Sequence, residues 1–207
     1  SKPSFSWFPD FQEIHLPHNF SFFDRFFRKL NVIISGIHST KIILSSKSAQ
    51  SDLKTISLRA YKKSKVIRHN DLISLKTKNT SLKQLKKKYN LRDYFIICDQ
   101  FRKHKNHIVV LKALNYLKSK KKNFTVVCTG LFQDWRHKNH TLFLERYINE
   151  NNLKNNFKIL GIVDEKDLKG LIKNSICLLK PYKFEGLSNS VVSARNLGTK
   201  VIMSNIP

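Results

Sequence analysis

The stretch ICLLKPYKFEGLSNSVVSA, Ile176–Ala194, decides how the fold is read. An apolar run, Ile176–Leu179, stops at Lys180-Pro181, and a polar loop holding Gly186 leads to an apolar segment that Ser188 or Asn189 can cap. Such a run, loop and capped segment predict a β-strand feeding an α-helix. In open α/β sheets ligands gather beyond the C-terminal ends of strands, because the crossover helices present their N-termini there. Gly186 lets backbone amides approach a ligand, and the positive end of the helix dipole favours an anion such as a diphosphate. Glu185 at the loop tip is unusual beside an anion, since a carboxylate there costs Coulomb energy unless it accepts hydrogen bonds from sugar hydroxyls. An acid in the first turn of a helix is the other reading, and the residues alone leave both open.

Working upstream, the same alternation repeats. Apolar runs predict strands near Tyr94–Cys98, Phe124–Cys128, Phe157–Leu160, Ile176–Leu179 and Lys200–Met203. Amphipathic segments between them predict helices over about Lys105–Lys118, His137–Asn151, Glu165–Lys173 and Ser188–Leu197, with Ile108, Leu111, Leu114 and Leu117 at helical spacing in the first. Five strands with helical crossovers make most of a Rossmann-like unit. The first half has the same grammar: a strand around Phe5–Phe8, a helix from about Phe22 to Ser35, and a strand at Lys41–Leu44. A helix capped by Ser46 or Ser48 then runs to about Arg59, followed by a short strand at Lys65–Ile67. Residues 70–81 are polar and without a hydrophobic period, which reads as an interdomain linker leading into the basic helix Leu82–Tyr89. The expected organisation is a domain over 1–70, the linker and basic helix over 71–90, and a second domain over 91–207.

The 207 residues carry 39 Lys+Arg against 14 Asp+Glu, a net charge of +25. That field attracts phosphorylated ligands, anionic lipid or nucleic acid. The excess is mostly Lys and accompanies abundant Asn, Ile, Phe and Ser, so a codon bias that spreads Lys over every solvated face explains it better than a dedicated polyanion site does. The runs Lys86–Lys88 and Lys120–Lys122 read as solvated helix ends. The three cysteines, Cys98, Cys128 and Cys177, lie far apart in apolar runs and show neither metal spacing nor a disulfide framework. Buried free thiols suit a cytoplasmic location, including the cytoplasmic face of a membrane. No apolar stretch reaches the roughly 18 residues of a spanning helix, and no signal peptide is visible.

The string FEGLSNSVVSARNLGTKVIMSNIP, Phe184–Pro207, resembles the Phe-Glu-Gly loop, helix and following strand of the retaining GT-B glycosyltransferases grouped as family 4. DQFRKHKNHIVVLKAL, Asp99–Leu114, is similar to that family's segment between the first donor-domain strand and its helix, in a subgroup with a Lys-His-Lys-Asn-His run. WFPDFQEIHLPHNFS, Trp7–Ser21, is similar to a Trp-Ile-Pro-Asp-Phe-Gln segment of the same subgroup. The resemblance implies an α/β chain of GT-B type, with two Rossmann-like domains that are both incomplete here. It also implies transfer of a sugar from a nucleotide-diphosphate sugar to an acceptor hydroxyl with retention, in surface polysaccharide or glycan synthesis.

Carried over residue by residue, the resemblance makes Lys105 a cation on the donor diphosphate and Glu185 a contact to the transferred sugar, the two catalytic positions. The arginine that accompanies the lysine is Gln100 here, so its role passes to Arg102 or Lys103. The family's second glutamate, which holds the ribose, is Ser193, and one hydrogen bond in place of two charge-assisted ones implies weaker donor binding. Phe184, Gly186, Leu187, Ser188 and Asn189 complete the donor loop, and Gly130, Ile162 and Val163 lie where the family shapes a floor for the base. Asp10, Gln12 and His15 fall on the acceptor side. No metal and no cofactor beyond the nucleotide-sugar substrate are expected. The expected partners are that donor, a glycan or lipid-linked acceptor and an anionic membrane surface, with no specific nucleic acid.

Two rival readings stand beside this one. The +25 charge alone supports a basic module that binds polyanions or membrane surfaces, whose affinity would fall steeply with salt. Ser193, Gln100 and the two ends, Ser1 without a Met and Pro207 directly after a strand-like run, support an inactive fragment of the same enzyme.

Overall fold

The computed structural model describes residues 2–67 and 79–206. The chain divides into two compact units, one of Ser1–Asn70 with Phe184–Ser188 and the other of Asp71–Lys183 with Asn189–Ile206.

The first unit is built on a three-stranded parallel sheet in the order β1 (Phe5–Phe8), β2 (Lys41–Leu44), β3 (Ser64–Val66). Its helices are α1 (Gln12–His15), α2 (Phe22–His38), α3 (Lys47–Ile56) and α4 (Leu58–Lys62). Ser21 opens α2 with a capping box to Asp24, which satisfies donors that the first turn cannot use internally. Phe11, Val32, Ile42, Leu44, Leu53 and Ala60 form the core. A side chain at Gly36 would come within 3.0 Å of the Ala60 Cβ, so glycine is what lets α2 lie close to α4. One long helix to Arg59 was expected where there are two. Ser57 takes an extended conformation (φ −154°) and its hydroxyl accepts from the Ala60 amide at 3.2 Å, ending α3 and capping α4.

The second unit holds a five-stranded, fully parallel sheet in the order β6 (Phe157–Gly161), β5 (Val126–Thr129), β4 (Phe95–Cys98), β7 (Leu178–Lys180), β8 (Val201–Met203). Among the described residues five helices join it: α5 (Leu82–Tyr89), α6 (His107–Ser119), α7 (Asn139–Glu150), α8 (Glu165–Lys173) and α9 (Asn189–Asn196). Alternate strand residues face opposite sides. Ile97, Val126 and Cys128 enter one core with Leu111, Leu114 and Leu144, while Ile96 and Val127 enter another with Leu85, Leu171 and Ala194. Helices therefore cover both faces, as the apolar runs imply. Leu85 of the basic helix α5 is buried in this unit's core. The polar stretch read as a linker lies largely outside the described residues.

Two local expectations need correction. The helix after β4 starts at His107 rather than Lys105, because Asn106 adopts a left-handed conformation (φ 58°) behind a 3-10 turn at Lys103–Lys105. Asparagine tolerates that region where most residues do not. Lys88 is also more than a solvated helix end: its ammonium lies 2.6 Å from the buried carboxylate of Asp167. Among the cysteines, Cys128 and Cys177 are buried and Cys98 is partly so. Among the described residues no helix is long and apolar enough to cross a membrane.

Candidate functional site

Chain order reverses beside β4. From there β5 and β6 run to one side and β7 and β8 to the other. The loops leaving β4 and β7 must therefore diverge, which is where ligands of open parallel sheets bind. Both loops carry charge. Asp99 follows β4 directly, and Lys180 ends β7 with Tyr182 two residues on.

These groups form one cluster. The Lys180 side chain is 0% exposed, and its ammonium lies 2.7 Å from Asp99 Oδ2, where the Tyr182 hydroxyl also donates. The Lys105 ammonium is 3.4 Å from Asp99 Oδ1 and 4.1 Å from the Tyr182 ring centroid, a cation–π distance. The loop is pinned as well: the Lys183 amide donates to His104 O at 2.9 Å, and Asn106 Nδ2 donates to Pro181 O at 2.9 Å. Burial holds the His104 imidazole down to about 4, helped by the cations of Lys105, Arg102 and Arg136. His107, fully buried and stacked on Phe101 at 4.2 Å, is held down to about 3, again chiefly by burial. Both rings are neutral near pH 7, so the loop's charge comes from its lysines and arginine.

The neighbouring positions diverge from one another. Arg102 Nε donates to Gln100 Oε1 at 3.0 Å and its guanidinium lies over Trp135 at 5.0 Å. Lys103 turns its amide to Asp134 Oδ2 at 2.8 Å and lines a cavity of about 460 Å³ with His137, Lys138, His140 and Lys183; Lys105 is not among the residues lining it. Gly130 (φ 115°) has to be glycine, since a Cβ there would stand 2.3 Å from Asp99 O. Its amide donates to Gly161 O at 2.7 Å, joining the ends of β5 and β6. Ile162 is 79% exposed just beyond β6, whereas Val163 packs against the core.

In the first unit, Asp10 and the Phe184–Ser188 loop meet. A side chain at Gly186 would stand 2.6 Å from the Asp10 Cβ, so this glycine is required by close approach. Asp10 Oδ1 accepts from the Gln12 amide at 3.2 Å, closing a turn. His15 Nε2 is 2.9 Å from Asp52 Oδ2, and its ring stacks on the buried Phe184 at 5.0 Å. Glu185, Leu187, Ser188 and Ser193 are partly buried, while Asn189 is exposed and begins α9. Among the described residues no group of three or more His, Cys, Asp or Glu side chains could hold a metal ion.

Asp99, Lys180 and Tyr182 are what the sequence reading missed. Lys180 looks solvated because it ends an apolar run just before a proline, and its partner Asp99 is 81 positions away. Only the pairing of β4 with β7 brings them together. A lysine closing a strand that is buried on both faces was the available signal, since such a charge needs a partner.

The sequence matches the family model described as glycosyl transferases group 1 over residues 78–207. Among solved structures, the fold is similar to HepE of Anabaena in complex with UDP and glucose (TM-score 0.79, 18% identity, 99% of this chain and 53% of that one). It is also similar to a glycosyltransferase from Rickettsia africae (0.63, 20%, 98% and 51%) and to WaaG, a glycosyltransferase involved in lipopolysaccharide biosynthesis (0.67, 14%, 95% and 54%). The chain thus spans about half the length of these structures. No curated protein matches the sequence.

Proposed function

Since the chain belongs to the group 1 glycosyl transferases, we propose that it moves a sugar from a nucleotide-diphosphate sugar to an acceptor hydroxyl with retention, in the synthesis of a surface glycan. The observation that carries this is the cluster at the reversal of strand order: two lysines gather around one carboxylate where an α/β sheet receives anions. UDP and UDP-glucose, bound by HepE, set the first donors to try.

In this reading residues 91–207 bind the donor, residues 1–70 serve the acceptor, and residues 71–90 connect them. Lys105 stabilises charge on the leaving diphosphate, and Glu185 accepts hydrogen bonds from the transferred sugar. The amides of Gly186, Leu187, Ser188 and Asn189 and the start of α9 bind phosphate, with Gln100, Arg102 and Lys103 nearby in sequence. Gly130, Ile162 and Val163 floor the base, Phe184 backs the loop, Ser193 meets the ribose, and Asp10, Gln12 and His15 lie toward the acceptor. The bond from the anomeric carbon to the diphosphate oxygen breaks while one to the acceptor oxygen forms on the same face. The acceptor's proton passes to the departing diphosphate, so no protein base is required. Free thiols suit the cytoplasm. The exposed Phe22, Phe23, Phe26 and Phe27 on α2, beside Arg25, Arg28 and Lys29, suit the face of an anionic membrane bearing a lipid-linked acceptor.

Thermal unfolding of the protein with UDP-, GDP- and dTDP-sugars tests the reading. One donor at about 100 times its Kd should stabilise by about 2.7 kcal/mol, raising Tm by several degrees. Lys105→Ala and Glu185→Ala should each remove the rise. No shift with any donor, or shifts that survive both substitutions, would sink the assignment.

A further inference from the structure

We propose that Asp99 is a positioning residue for Lys105, with buried Lys180 and Tyr182 as the standing partners that let Lys105 turn from the carboxylate to an anionic ligand. The purpose assigned to Lys105, contact with the donor diphosphate, rests on the function proposed above; the positioning itself rests on geometry alone.

A buried ammonium is tolerated only when a carboxylate and hydrogen bonds compensate its lost hydration. Asp99 supplies this for Lys180, whose side chain has no exposure. The two carboxylate oxygens are divided. Oδ2 takes Lys180 and the Tyr182 hydroxyl, and Oδ1 faces Lys105 at 3.4 Å. Lys105 keeps 14% of its side-chain surface, so of the two lysines it is the one that can reach outward. When its ammonium leaves Oδ1, Asp99 stays paired with Lys180 and Tyr182, and no buried charge is orphaned.

The carboxylate is itself held. The Asp99 amide donates to Thr129 O at 3.0 Å, and its carbonyl lies where a side chain at Gly130 would stand. An unconstrained lysine samples many rotamers, so a fixed acceptor on one side and the Tyr182 ring on another select one orientation in advance.

The double variant Asp99→Asn/Lys180→Gln removes one negative and one positive charge and keeps amide groups in their places. The net charge is unchanged, so its effects report position. In lysine-labelled protein without ligand, the ε-methylene resonance of Lys105, assigned by its loss in Lys105→Arg, should lie upfield of other lysines because of the Tyr182 ring current. In the double variant it should return toward the bulk lysines, and in the wild type inorganic pyrophosphate should move it the same way. Under turnover with UDP-glucose the double variant should lose about 100-fold in kcat with little change in KM, the size expected of a misplaced catalytic group. That loss should vanish in a Lys105→Ala background. A Lys105 resonance at the bulk position in the wild type, or one unmoved by the double variant, overturns the proposal, as does a kinetic loss that persists in full without Lys105. If the double variant does not fold, Asp99→Glu keeps the buried pair and must still shift the Lys105 resonance. If no nucleotide sugar is turned over while the resonance behaves as described, the donor assignment has failed and the positioning stands.

Discussion

Asp99 and Asp167 are surrounded by the same chemistry in the same unit. Each takes a lysine ammonium and a tyrosine hydroxyl on one carboxylate oxygen: Lys180 and Tyr182 for Asp99, Lys88 and Tyr89 for Asp167. Asp167 lies on α8 and also accepts from Thr80 Oγ1 at 2.6 Å, so its bonds join α5 and the residues before it to a neighbouring helix. Its lysine is 53% exposed. Asp99 sits at the end of a strand where chain order reverses, its first lysine is fully buried, and a second lysine reaches its other oxygen. Two near-identical constellations thus differ in burial and in place. The one on the helix is a latch, and the one at the strand ends gathers a second cation.

The comparison breaks most directly by removing each negative charge alone. Asp99→Asn leaves Lys180 buried without a counterion and should cost about 3–5 kcal/mol in urea unfolding, the usual result of breaking a buried pair from one side. Equal losses at both sites would mean that burial does not separate them.

Asp167→Asn should cost less, about 1–3 kcal/mol, because the half-exposed Lys88 can return to water and what is lost is a set of hydrogen bonds to a charged acceptor. Hydrogen exchange should show that loss concentrated in α5, with the strands unaffected. Exchange rising equally across β4 and β7 would contradict a latch confined to the helices.

The two regions also differ in how far their residues could be read beforehand. The helix Glu165–Lys173 and the strand Lys41–Leu44 have the bounds their apolar spacing implies, because period and capping are local properties. The loops that end β4 and β7 were legible for the same reason. What could not be read is pairing at long range. Lys180 with Asp99 and Lys88 with Asp167 are 81 and 79 positions apart and meet only through sheet order and helix docking. Asn106 is a third kind of case. Its left-handed backbone ends a turn inside what looks like the first residues of a helix, and its side chain is fixed by Pro181 on another loop.

Acid should take the two regions apart in order, with the smallest effect per step. His107 and His104 are held down to about 3 and about 4, first by burial and then by nearby cations, with Asp99 opposing at His107 and Asp134 at His104. Unfolded histidines titrate near 6.5. As pH falls below that value the unfolded chain takes up protons that the native loop refuses, so stability present above about 6.5 is lost on the way down to about 4 for His104 and about 3 for His107. The slope from His107 alone approaches about 1.4 kcal/mol per pH unit. Asp167 behaves differently. Burial raises its pKa, but hydrogen bonds from Lys88, Thr80 and Tyr89 outweigh this and hold it down to about 2. Its contribution is complete above about 3.8, the ordinary aspartate value, and is lost only as pH falls from there toward about 2. Urea midpoints measured across this range should therefore decline in two windows. His107→Gln should flatten the decline between about 6.5 and about 3, and Asp167→Asn the one between about 3.8 and about 2, the two overlapping only between about 3.8 and about 3. A single decline below pH 4 that ignores the histidine substitution would show that the loop after β4 does not hold its imidazoles neutral, and the contrast between the two carboxylates would then rest on stability alone.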